Sequence, residues 1–267
     1  MNDPAPKNET PFAWPKVQTF GIDAPWRWLA KGAGDLRAAP APSLFYGAVM
    51  ALMGLLLTNY YAGAIGLALT TGFLIVGPFL AIGLYDVSRR CERGERVTLA
   101  STLTAWKANV AAIGFYALIL TLSLAVWIRV SVVVVALFFP DGTPSVTGFV
   151  AELGRSPDAW FFLGAYAAAG AGLALFAFAV SAVSLPMLLD REEMDAISAM
   201  IVSFNVLRTN FAPMLVWGGI IAAMAGLGFA TYFAGLVITL PVIGHGAWHA
   251  YRESVEPPAG EGAAPSE

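Results

Sequence analysis

Two long stretches of this 267-residue chain contain no charged side chain: Ala38–Tyr85 and Thr209–Tyr251. A membrane-crossing helix needs about 20 apolar residues to traverse roughly 30 Å of hydrocarbon, so each stretch is long enough for two. The uncharged stretches Ala108–Ile128 and Ala159–Leu189 each supply one more. The expected total is six spans. The predicted turns inside the two long stretches are Thr58–Gly63 and Gly226-Leu227-Gly228. Val130–Pro140 is apolar but too short to cross alone, and reads as an interfacial helix or an extension of the third span. Charged residues make up 12% of the chain, against about a quarter in a soluble domain. That excludes a water-soluble enzyme. The net charge of −3 gives no basis for nucleic-acid binding. A single cysteine, Cys91, excludes an internal disulfide and a multi-cysteine metal site.

Loop charge predicts orientation. Lys7, Lys16, Arg27, Lys31 and Arg37 precede span 1; Arg89, Arg90, Arg93, Arg96 and Lys107 lie between spans 2 and 3. Arg191 and Arg208 separate spans 4 and 5, and Arg252 follows span 6. The opposite loops hold only Arg155. By the positive-inside rule both termini are cytoplasmic. Residues 1–20 read as a disordered, proline-rich arm without a signal peptide, 21–252 as the membrane domain, and 253–267 as a disordered tail.

The membrane domain reads as a threefold repeat, about 21–96, 97–192 and 193–252. Each copy has a short amphipathic helix, a basic residue, a span, a turn, and a second span with a proline near its cytoplasmic end: Pro78, Pro186 or Pro241. Two-span units keep the same orientation, so the copies are parallel hairpins. Leu99, Leu103 and Trp106, and Ile197, Met200, Ile201 and Phe204, have helical spacing, with Thr98 and Asp195 as N-caps. Trp26, Trp28 and Leu29 begin the equivalent segment before span 1. These segments are expected in the cytoplasmic interface, their basic neighbours touching anionic lipid headgroups; the alternative is a helix packed on its neighbours outside the bilayer. Gly164, Ala168 and Gly172, and Gly218, Ala222 and Gly226, form small-residue stripes expected to let helices approach closely.

Few residues carry chemistry. His245 and His249 share a helix face at four-residue spacing, which suits either a metal or haem edge, or two amphipathic rings beside Trp248 and Tyr251. Counting from the prolines, Asp86, Asp190, His245 and His249 fall near one end of the bundle and form a candidate polar vestibule for a cation or protons. The plainer reading is that the two aspartates end their helices beside Arg89 and Arg191. Arg129 is expected at the outer interface, snorkelling toward water. Cys91 stands among Arg90, Arg93 and Arg96, a setting that lowers a thiol pKa. The sequence contains no Walker A, dinucleotide-binding, nucleophile-elbow or zinc-protease motif. No catalytic residue, cofactor or metal is predicted.

Four blocks carry a family resemblance: Asp23-Ala24-Pro25-Trp26-Arg27-Trp28-Leu29, Val76–Asp86, Ser181–Asp190 and Gly244–Arg252. Together they resemble a bacterial family of predicted integral membrane proteins, domain of unknown function 2189, over roughly Phe20–Arg252. The resemblance implies an inner-membrane protein and no assigned catalytic residue. Some members of the family carry a cytochrome c oxidase label. A haem–copper catalytic subunit needs six metal-ligating histidines and this chain has two, so it is not that subunit.

The expected class is therefore an all-α polytopic membrane protein in the lipid bilayer of the bacterial inner membrane. The expected role is a non-catalytic scaffold or accessory subunit with membrane-protein partners. The alternatives are a small-solute or ion transporter or channel, and a haem-binding or oxidase-associated protein.

Overall fold

A computed structural model describes residues 14–60, 63–139 and 157–257. Among these the regular secondary structure is helical, with one isolated antiparallel bridge, Val17 with Val255. Most of the arm and tail expected to be disordered, the loop with Arg155, and part of the predicted Thr58–Gly63 turn lie outside the described residues.

Helix α1, Ala24–Ala38, begins with Pro25 in its first turn and ends at Ala39, whose backbone leaves the helical region. Pro40 opens α2, Pro40–Tyr60. Proline suits that position because its fixed φ matches a helix start and its missing N–H would have had no partner there. Helix α3 runs Gly63–Glu92. Then come α4, Leu99–Thr102, a 3-10 turn, Ala105–Asn109, and α5, Val110–Phe138. Thr98 caps α4 through a reciprocal capping box with Ser101, and Asn109 caps α5 by accepting from the Ala112 N–H. The segment expected as one amphipathic helix before span 3 is thus two short pieces. The Val130–Pro140 stretch extends α5 through Phe138, so Arg129 lies exposed within the helix rather than at its end.

Helix α6, Pro157–Ser181, breaks at Ala182-Val183 before α7, Ser184–Asp190. Helix α8, Ala196–Thr209, is capped by Asp195, as its spacing predicts. Helices α9, Phe211–Ala230, and α10, Leu236–Ser254, complete the chain. The turn between these two is not at Gly226-Leu227-Gly228. Helix α9 continues through those glycines, and the reversal falls at Thr231–Gly235, with Tyr232 and Phe233 at φ of 52° and 65°. Left-handed backbone at two aromatic residues costs roughly 1–2 kcal/mol each. It is offset by the Phe233 ring packing on Phe229 and over Gly54, and by Thr231 Oγ1 accepting from the Gly235 N–H at 2.8 Å.

Four helical segments among the described residues are long and apolar enough to cross a membrane: Pro40–Asn59, Leu99–Phe138, Asp158–Asp190 and Phe211–Ala230. Helices α3 and α10, the remaining two of the six expected spans, do not meet that measure among the described residues. Their lower hydropathy has a structural cause. Helix α10 is the central element, packed among α1, α2, α3 and α9, so its faces meet protein and can carry His245, His249 and Arg252. Helix α3 ends in the charged run Asp86–Glu92.

The three prolines do not all behave alike. Helices α3 and α10 run through Pro78 and Pro241 without interruption, whereas Pro186 follows the break between α6 and α7. Pro241 cannot donate to the Val237 carbonyl four residues earlier. That carbonyl is met instead by α2 at Gly47, where any side chain would collide with it. The main core lies at the basic end of the bundle and is built on Trp28, Met187, Leu188, Met214, Trp217 and Trp248. A smaller cluster holds Tyr46, Leu84 and Val87.

Close helix approach occurs at other glycines than the expected stripes. A Cβ at Gly164, Gly172 or Gly226 would meet no atom within 4 Å, and one at Gly218 would make an ordinary contact with Phe178. At Gly32 on α1 it would lie 2.5 Å from the Val242 carbonyl oxygen and 2.7 Å from the Gly246 nitrogen. Four-residue spacing of small residues identifies a smooth helix face. It does not say whether protein or lipid lies against that face.

Candidate functional site: a polar collar at the basic end

Asp86, on α3, is fully buried. Arg89 and Arg90, three and four residues later on the same face, reach back to it: Arg89 Nε donates at 3.0 Å to Oδ1 and Arg90 Nε at 2.7 Å to Oδ2. Arg89 also donates to the Leu189 carbonyl at the end of α7, and Arg90 to Glu95. The carboxylate therefore ties the end of α3 to α7 through a guanidinium.

Asp190 accepts from the Tyr251 hydroxyl at 2.7 Å and from Arg252 at 3.3 Å, and Arg93 lies 3.6 Å from its other oxygen. Arg252 also donates to Glu92, which accepts from the Trp248 indole at 2.9 Å. Arg191 donates to the Tyr251 hydroxyl and to the Glu256 carbonyl. These contacts join the ends of α3, α7 and α10.

His245 is fully buried between α2 and α3. Ser43 Oγ donates to the Ala39 carbonyl and lies 2.9 Å from Nε2, placed to accept a hydrogen bond there. Nδ1 lies 2.8 Å from Ser88 Oγ and 3.1 Å from the Leu84 carbonyl. One turn on, His249 Nε2 meets Asp35 of α1 at 2.8 Å. The expected shared face is present, but the two rings address different neighbours.

The four vestibule residues accordingly belong to four separate pairings. Leu84 and Ser88 face His245; Asp86 lies between them in sequence, about 200° round the helix from each, and so faces the other way. Among the described residues no group of three or more His, Cys, Asp or Glu is placed to hold a metal ion. Cys91 also differs from expectation. Burial is the larger cause and the nearby Asp35 carboxylate the second, and both push its thiol pKa up. Of its arginine neighbours in sequence, Arg90 is engaged with Asp86 and Arg93 with Asp190.

Several members of this collar carry no motif. Asp35, Ser43, Ser88, Glu92 and Glu253 are single polar residues in sequence, and the structure makes each a partner of a buried or half-buried group. The Trp28 indole donates to Glu253 at 2.8 Å, and Arg27 pairs with both Asp23 and Glu253. The boundaries expected at residues 20 and 253 fall inside a paired structure. Gln18 N–H donates to the Ser254 carbonyl and Glu256 N–H to the Lys16 carbonyl, while Asn210 holds Phe20 N–H and the Gln18 carbonyl.

The exposed side of α8 bears Ile197, Ile201 and Phe204, one stripe at helical spacing, while Ala199, Met200, Ser203 and Val206 are buried behind it. Helix α1 buries Trp28 and exposes Trp26. An apolar stripe outside the spans suits a headgroup-depth position, and so does an exposed tryptophan.

A chain whose described residues are built of helices, four segments of them this long and apolar, is a polytopic integral membrane protein. Residues 66–190 match the family described as "Predicted integral membrane protein (DUF2189)", in agreement with the resemblance read from the sequence. The Asp23–Leu29 and Gly244–Arg252 blocks lie outside the matched residues. No curated protein and no solved structure matches the chain.

Proposed function

We propose that this chain is a non-catalytic scaffold or accessory subunit of a membrane complex, with six spans arranged as three parallel hairpins and both termini in the cytoplasm of a bacterium. The observation that carries the reading is the use made of the buried ionisable groups. An ionisable residue within a membrane protein is a functional candidate by default. Here Asp86, Asp190, His245 and His249 are each occupied in joining one helix to another. Axial ligation of haem by His245 would require breaking hydrogen bonds at one of two engaged nitrogens, which counts against the haem-binding alternative. The exposed apolar surface of α5, including Leu118, Leu122, Val126 and Val133, offers a lipid-facing or partner-facing wall.

The test is extraction of the tagged full-length protein in native lipid nanodiscs, followed by mass spectrometry of what co-purifies. A stoichiometric membrane-protein partner, recovered across several growth conditions, is expected. A lone chain in every condition rejects the accessory role. Solute or ion flux in proteoliposomes that is abolished by Asp86→Ala or Asp190→Ala, with the protein still folded, would favour the transporter alternative instead.

A further inference from the structure

Helices α2, α3, α6, α9 and α10 line a partly open cavity of about 280 Å³ near the basic end of the bundle. Its walls are mostly apolar, with Met50, Leu80, Ile221 and Leu240 among them. An apolar cavity of about 150 Å³ is enough to hold benzene, so this one has room for two fused rings or a bent acyl segment.

Its polar lining is sparse and unevenly used. The Tyr46 hydroxyl donates to Thr102 Oγ1 at 2.9 Å, and Ser181 is hydrogen-bonded with Tyr116. Trp217 lines the same cavity, is fully buried, and its indole Nε1 has no hydrogen-bond partner among the described residues. Buried N–H groups are rarely left without an acceptor. Trp217 stands six residues into α9, about 9 Å along the helix from its start at the basic end. A charged ligand at that depth would lose its hydration without a counter-charge. A neutral one loses much less, and a hydrogen bond to its oxygen offsets that loss.

We propose that this cavity binds a neutral, membrane-soluble molecule that presents a carbonyl or ether oxygen to the Trp217 indole N–H, with the Tyr85 hydroxyl as a second donor on the same wall. The chemistry is shared by the ester carbonyl of an acyl lipid and the ring carbonyl of a free apolar compound. It uses residues outside the polar collar, so it stands or falls independently of the scaffold reading.

The experiment uses the full chain in lipid nanodiscs, with equilibrium dialysis against empty nanodiscs of the same lipid. The probes are 2-acetylnaphthalene and 2-isopropylnaphthalene, alike in shape but differing in the acceptor oxygen. Saturable binding is expected, about tenfold tighter for the ketone, the ratio that one well-made hydrogen bond supports. Trp217→Phe is expected to erase the difference between the probes while retaining the binding of the hydrocarbon. Tyr85→Phe should reduce the difference by a smaller factor. A Cβ at Gly77, which lines the cavity, meets nothing within 4 Å, so Gly77→Leu adds side-chain volume from an unobstructed position on the wall and is expected to abolish both. Circular dichroism of each variant checks the fold. Displacement of the ketone by methyl oleate at lower concentration than by a decyl-substituted benzoquinone assigns an acyl ester, and the reverse order assigns a free carbonyl compound. Equal affinity of the two naphthalenes for the unaltered protein, no saturable binding, displacement by neither competitor, or unchanged binding in Gly77→Leu overturns the proposal.

Discussion

Helices α10 and α5 have opposite relations to their surroundings. Twelve of the 19 residues of α10 are buried, and it is packed among its neighbours on several sides. Of the 29 residues of α5, three are buried, and no residue of its most apolar window is among them. Yet α5 is the more hydrophobic of the two, and α10 carries both histidines and Arg252. In water the buried helix would be the more apolar. In a bilayer the preference reverses, because a lipid-facing helix must be apolar all round, whereas a central helix meets protein groups that can pair with its polar side chains. The contrast explains why hydropathy marks α5 and passes over α10.

The largest test of that contrast is steric. Gly32→Val places carbon against the backbone of α10 at Val242 and Gly246, where nothing can move aside as a side chain would. We expect a loss of more than about 3 kcal/mol, enough to deplete folded protein, because overpacking against backbone costs at least as much as overpacking a core. Gly164→Val on α6 meets open space, and should leave thermal unfolding in mild detergent unchanged. If both substitutions are tolerated, α1 and α10 are not packed at backbone contact.

Next in size is Asp86→Ala. Removing a fully buried carboxylate takes the shared counter-charge from Arg89 and Arg90, whose side chains are only 18% and 25% exposed, and leaves them the Leu189 carbonyl and Glu95. Breaking a buried pair costs about 3–5 kcal/mol, and partial access of both guanidinium groups to water puts the expectation at about 3 kcal/mol. Denaturant titration followed by circular dichroism would measure it, and a change below about 1 kcal/mol would mean that the pairing is solvated. His245→Ala follows, at about 2 kcal/mol. Ser43 keeps the Ala39 carbonyl as a partner, but Ser88 loses the imidazole and a void opens between α2, α3 and α10. His245→Asn, with one donor and one acceptor, should recover part of the loss.

Membrane class was legible in the chain because the thickness of the hydrocarbon layer imposes its own length on every crossing helix. The caps Thr98 and Asp195 were legible for a local reason: an N-cap is settled within the first turn. The small-residue stripes misled, since periodicity gives a face and not its neighbour. The α9–α10 turn misled because two glycines inside a helix cost little when lipid and protein hold the helix, while Tyr232 and Phe233 turn the chain against the usual preference of aromatic residues. The collar itself was half visible. Asp86 and Asp190 stood out as charges at the edges of apolar runs, and Arg89 is a neighbour of Asp86 within one turn, but Tyr251 lies 61 positions from Asp190, Ser43 202 from His245 and Asp35 214 from His249. No local pattern encodes such a pairing.

The smallest effect is expected where the bilayer contributes least. Asp195 caps α8 by accepting from the Ser198 N–H at 2.9 Å. Its side chain is largely in water, so the cap should have its ordinary aqueous worth, and Asp195→Ala should cost about 1 kcal/mol. Hydrogen bonds from the Ser198 side chain, then from the backbone, hold its pKa below the usual aspartate value. A depressed folded-state pKa means that the unfolded chain takes up the proton first as pH falls. The stabilisation is therefore complete above about pH 4, the unfolded value, and declines as acid titrates the folded carboxylate. The quantity to measure is the difference between the unfolding curves of the unaltered protein and the Ala variant, in which every contribution common to the two cancels. It should be constant from about pH 7 to 5 and shrink below about pH 4. A difference that grows on acidification would show that Asp195 is held by something other than the helix it starts, and that α8 owes its place to its apolar stripe alone.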